Sequence, residues 1–166
     1  MSYSLEQLNQ LGQSAFTEAL GEIFEQTPTI AAQTWEKRPF KDVDDLHQKM
    51  LEVVSTLTHE QQLALICAHP DLGSKAKMAE ASVQEQAGAG LDRLTPDEYD
   101  RFHSLNQRYK SQFGFPFIIA VKNHTKTSIL EAFETRLQHS QPTEMRQAIA
   151  EISQIAYFRL LQQVTV

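Results

Sequence analysis

Apolar residues recur at helical spacing along nearly the whole chain, and this pattern constrains the fold more than any other feature. In "SAFTEALGEIFEQTP", Phe16, Leu20, Ile23 and Phe24 share one face, and Thr27-Pro28 closes the run. "DVDDLHQKMLEVVSTL" stacks Val43, Leu46, Met50, Val53, Val54 and Leu57 along one stripe. "TEMRQAIAEISQIAYFRLLQQV" does the same with Met145, Ile149, Ile152, Ile155, Ala156 and Leu160. Start signals agree with the periodicity. Ser4 and Gln7, Thr58 and Gln61, and Thr95 and Glu98 stand in capping-box spacing, the last with Pro96 at the first helical position. Shorter helical segments run through Trp35 to "KRPF", around "MAEASVQEQAG" and over "SILEAFETRLQ". Only "FGFPFIIAV", 113–121, reads as strand-like, and one run with a central proline cannot build a sheet. No repeat, low-complexity tract or linker interrupts the chain. The expectation is an all-α fold, a single multihelical domain over residues 1–166 with about eight to ten helices and short connections.

Composition narrows the function. A net charge of −6, with Lys and Arg scattered, argues against nucleic acid as a partner, because phosphate binding needs a basic face. An anionic small molecule would have to be met by local positive groups. The single cysteine, Cys67, excludes an internal disulfide framework and a CxxC site; its place on an apolar helix face predicts a buried structural thiol. No window approaches the ~20 apolar residues of a membrane span. The first twenty residues carry Glu6 and Glu18 and lack the apolar core of a signal peptide, and the final "VTV" does not match a peroxisomal address. The expected location is the cytoplasm.

Four features carry candidate chemistry. In "CAHPDLGSK", 67–75, Pro70 disfavours helix for the residue before it, so the preceding helix should end at or near His69. An imidazole there sits at the negative end of a helix dipole, and histidine ordinarily titrates near about pH 6.5, so modest influences decide between acid and base. The alternative is a histidine that merely caps carbonyls. In "ASVQEQAGAGLD", 81–92, Ser82, Glu85 and Gln86 fall at i, i+3 and i+4, lining up hydroxyl, carboxylate and amide for a nitrogen-rich heterocycle. Ser-x-x-Glu is equally a capping box. "GAG" lacks the preceding strand and third glycine of a dinucleotide loop. "FGFPF" is a stiff apolar turn, suited either to core packing or to presenting backbone groups to a ligand. Arg159 lies inside "IAYFRLLQQV" and either snorkels to solvent or points inward, where it needs an anion or carbonyl partner. The six histidines include no i, i+4 pair and no HExxH, so helix-presented zinc lacks its spacing.

Taken together, "FEQTPTIAAQTWEKRPF", "AHPDLG", "SVQEQAGAGLD", "LNQRYKSQFGFPFIIAV" and "RLLQQV" occur in the order and approximate spacing of the 2-oxo-4-hydroxy-4-carboxy-5-ureidoimidazoline (OHCU) decarboxylases. The chain resembles that family from about Leu8 to Gln162; unfamiliar residues fall in connecting segments such as 74–81 and 138–143. The resemblance implies a cofactor-free, all-helical enzyme of urate breakdown that yields (S)-allantoin, often as a homodimer. It places the catalytic histidine at His69 and its partner carboxylate at Glu85. Ligand contacts fall on Pro70, Ser82, Gln86 and Arg159, with backbone groups near Phe117 and Ile118. Two rival readings differ in what they predict. A scaffold protein would leave His69 and Glu85 on separate surfaces, and a metal-dependent hydrolase would bring at least three histidines together.

Overall fold

The structure is a computed structural model, and it describes residues 2–74 and 80–165. Its architecture is all-α. Nine α-helices are found among the described residues: α1 (Leu5–Gln10), α2 (Gln13–Leu20), α3 (Thr29–Thr34), α4 (Val43–Ser55), α5 (His59–Cys67), α6 (Glu80–Gly88), α7 (Pro96–Phe113), α8 (Lys126–Arg136) and α9 (Gln141–Gln163).

The start signals act as their chemistry requires. Ser4 Oγ accepts from the Gln7 N–H while Gln7 Oε1 accepts from the Ser4 N–H, satisfying two of the donors that a helix start leaves open. Thr58 with Gln61 and Thr95 with Glu98 make the same reciprocal pair. Thr125 and Ser128 repeat it at α8 with a hydroxyl in the returning role.

The second apolar run behaves differently from its periodicity. α2 stops at Leu20, well before Thr27-Pro28, yet Ile23 and Phe24 are buried in the turns that follow Gly21. The period there records which side chains face the core, while the glycine lowers the tendency to continue as helix. "FGFPFIIAV" forms no strand. The strands described are two residues each, β1 (Tyr3–Ser4) and β2 (Val164–Thr165), paired in parallel with Tyr3 opposite Val164.

Backbone contacts gather into two compact units. The first comprises Met1–Ala68 and Ser153–Val166. In it α3 packs against both α2 and α4, and β1 pairs β2. Phe16 stacks on Phe40, with ring centroids 5.7 Å apart. The second unit is His69–Ile152, centred on Tyr109 of α7. That ring meets Phe113 at 4.5 Å and Phe117 at 5.3 Å, and Phe117 stacks on Phe133 of α8 at 3.7 Å. Such offset and edge contacts stabilise beyond the area they bury. The first part of α9 belongs to the second unit and its remainder to the first.

Candidate active site

α5 ends at Cys67, with Ala68 as its cap, so the helix stops just ahead of His69-Pro70 as the proline requires. His69 is 8% exposed. Cys67 is exposed, contrary to the expected buried thiol. From Leu63 to Ala68 every residue is apolar, so the pattern alone singled out no face, and Leu65 and Ile66 take the interior.

Three consecutive residues after Pro70 are each held by a side chain. Asp71 Oδ2 pairs with Lys110 Nζ at 2.7 Å. The Leu72 carbonyl accepts from Asn106 Nδ2 at 2.8 Å, and the Gly73 N–H donates to Gln86 Oε1 at 3.0 Å. Gly73 has φ +68, a conformation that favours glycine, and a Cβ there would also push against the Leu94 side-chain end, 2.8 Å away at Cδ1.

Gln86 belongs to α6, where Ser82 and Gln86 are buried and Glu85 is half-buried. Ser82 lies within the helix, not ahead of it, which removes the capping-box alternative. "GAG" is the helix stop: the Leu91 N–H donates to the Gln86 carbonyl and the Gly90 N–H to that of Ala87, with Gly90 at φ +82. This six-to-one and five-to-two pairing is a Schellman ending. Met78 and Ala79 of "MAEASVQEQAG" lie outside the described residues.

Phe115 to Val121 are buried throughout. The strip is pinned from α8 and α9. Arg136 Nη1 donates to the Ile118 carbonyl while its guanidinium lies 4.2 Å from the Phe117 ring centre, and Glu151 accepts from the Ala120 N–H. Arg136 Nε in turn donates to Glu144, which is 0% exposed; Tyr109 Oη donates to the same oxygen at 2.6 Å, and His139 Nδ1 meets the other at 2.8 Å. Burial, then the bond to Glu144, push the Tyr109 phenol well above its ordinary range.

Arg159 lies in the first unit and takes the inward alternative. It is 4% exposed, donates to Glu25 Oε2 at 2.8 Å, and approaches the Glu22 carbonyl at 3.2 Å. Both the anion and the carbonyl that an inward arginine needs are therefore present.

A cleft of about 480 Å³ in the second unit is lined by Gly73, Ser74, Leu91, Asp92, Tyr99 and Asp100 among others. It contains none of the eight residues named from the sequence, and two of its walls are carboxylates, a poor match for an anion. Among the described residues no three His, Cys, Asp or Glu side chains gather as metal ligands would.

The structure thus ties the His69 loop to α6 through Gln86, sets Ser82, Glu85 and Gln86 along one helix, and anchors the Phe117–Ile118 backbone to Arg136. Sequence reading missed Glu25, Asn106, Lys110, Arg136 and Glu144. The usable signal was the i, i+4 spacing of Asn106 and Lys110 on α7; Glu25 has its partner 134 residues away, and Arg136 and Glu144, though near in sequence, stand in different helices, so no helical period relates them.

Similar chains include the 2-oxo-4-hydroxy-4-carboxy-5-ureidoimidazoline decarboxylase of Halalkalicoccus jeotgali, 43% identical over 95% of this chain and 89% of the relative. The uric acid degradation bifunctional protein of Bacillus subtilis is 44% identical over 98% of this chain, which spans 33% of that longer protein. Among solved structures, an (S)-allantoin synthase superposes with a TM-score of 0.80 at 30% identity, covering 98% of this chain and 54% of that one. An OHCU decarboxylase crystallised in the presence of (S)-allantoin superposes with a TM-score of 0.70 over 91% of this chain and 97% of that one; at 20% identity it speaks for the fold alone. The family model for OHCU decarboxylase matches residues 9–161, and with relatives 43% identical across most of their length, this chain belongs to the OHCU decarboxylase family.

Proposed function

We propose that this chain converts 2-oxo-4-hydroxy-4-carboxy-5-ureidoimidazoline to (S)-allantoin and CO2 during urate breakdown, with His69 and Glu85 as its acid–base pair. Family membership supports the reaction. The observation that favours the pair is the Gly73–Gln86 hydrogen bond, which ties the loop bearing a buried His69 to the helix bearing Glu85.

The substrate carries its carboxylate on a ring carbon that also bears a hydroxyl, next to a C=N bond. As the C–CO2 bond breaks, its electron pair forms a C=C bond and the C=N electrons move to nitrogen, which takes up a proton. The product is an enol. Loss of the hydroxyl proton and protonation of the neighbouring carbon on one face then give the ring amide carbonyl and the stereocentre of allantoin. The substrate's own C=N is the electron sink, so the scheme calls on no cofactor. In this reading His69 handles the hydroxyl proton while Glu85 orients the imidazole or polarises the substrate. Such general acid–base help is worth about 10²–10⁴-fold.

The remaining groups grip the ureido and ring amides. Gln86 spends its oxygen on Gly73, so it offers a ligand its Nε2 donors. Ser82 offers a hydroxyl, Pro70 a rigid apolar edge, and the Phe117–Ile118 segment its backbone groups, with the Ile118 carbonyl already engaged by Arg136. Arg159 is assigned to an oxygen of the substrate. The working form is a cytoplasmic homodimer, which light scattering on the purified chain would check.

The direct test adds the protein to freshly generated product of hydroxyisourate hydrolysis and follows CO2 release and optical rotation. We expect accelerated release and an excess of the (S) enantiomer; racemic product at the spontaneous rate would overturn the reading. His69→Asn should lose the acceleration while still binding (S)-allantoin. Near-parental turnover in that variant would remove His69 from the mechanism.

A further inference from the structure

We propose that Lys110 is a positioning residue for His69, acting through its ion pair with Asp71. The proposal rests on the reading of His69 as the catalytic base. Lys110 and Asn106 stand four residues apart on α7, so they project from the same face, and they reach adjacent residues of the loop. Lys110 holds the Asp71 carboxylate at 2.7 Å and Asn106 holds the Leu72 carbonyl at 2.8 Å, while Gln86 of α6 takes the Gly73 N–H. Residues 71, 72 and 73 are thus fixed in turn by two different helices. Along the chain, Pro70 with its locked φ is the single residue between Asp71 and His69. A shift of Asp71 is therefore carried through a stiffened backbone to the residue that bears the imidazole.

Stability does not explain the Lys110–Asp71 pair well. Both side chains are partly exposed, at 37% and 28%, and ion pairs in such settings add little to folding. What the pair does supply is a fixed distance between positions 39 residues apart in sequence. Catalytic groups are sensitive to that kind of constraint, since misplacement by about 1 Å can cost about a hundredfold in rate.

Lys110→Met tests the idea without emptying a buried site. We expect kcat to fall about tenfold with the affinity for (S)-allantoin within about twofold of the parent. The His69 ring resonance, assigned by its disappearance in His69→Asn, should shift while those of the other five histidines stay in place. Exchanging the charges in an Asp71→Lys, Lys110→Asp double variant should restore kcat to within about threefold. Parental kcat together with an unmoved His69 resonance in Lys110→Met would overturn the proposal, as would a charge-exchanged variant no faster than the single one. A resonance that moves while turnover stays parental would instead count against His69 as the base, so the two failures are distinguishable.

Discussion

Arg159→Ala removes one member of an ion pair whose other member, Glu25, is 1% exposed. Leaving that carboxylate buried without its partner should cost about 3–5 kcal/mol, measured by urea denaturation. Replacing both residues by apolar ones of similar volume should cost less, because the desolvation penalty disappears with the charges. If Arg159 also meets substrate, the folded fraction of Arg159→Ala will show a raised KM, whereas an unchanged KM would confine the residue to its structural pair. At this scale the sequence was legible as a condition: an inward arginine demanded an anion. Its orientation was not legible, because Glu25 lies 134 residues away. His69 was easier to read. The proline beside it is a local constraint, and local constraints act without knowledge of the fold.

Helices were legible wherever a cap and a period coincided. α7 has Thr95, Pro96 and Glu98 in order, and Thr95→Ala should lower stability by about 1 kcal/mol by removing an acceptor from the first turn. α2 was misjudged because burial persists beyond Gly21 after the helix has ended. The network joining α7, α8 and α9 has a consequence at high pH. Tyr109 is held neutral, its phenol raised by burial and by Glu144, whereas in the unfolded chain it would ionise near about pH 10. Its stabilising contribution is thus complete below that pH and is lost as pH climbs toward the folded-state value. Melting temperatures between pH 9 and 11 should fall more steeply for the parent than for Tyr109→Phe; parallel curves would mean that the phenol does not carry this linkage.

For the molecule as a whole, the helical class followed from period alone, while the β1–β2 pair could not have been read in advance. Two residues complete no alternation, and their pairing partner lies at the opposite end of the sequence. That small parallel ladder sets Ser4 across from Thr165, at the spacing of neighbouring strands, about 4.8 Å. Because the strands run parallel, a bridge from position 165 must turn back before it re-enters at position 3, and about a dozen flexible residues would close the backbone into a ring without stretching it. Reopening the ring between Asp92 and Arg93, both exposed, should give a permuted protein with parental Trp35 fluorescence and turnover. The order in which the helices are synthesised would then be free to change while their arrangement is kept.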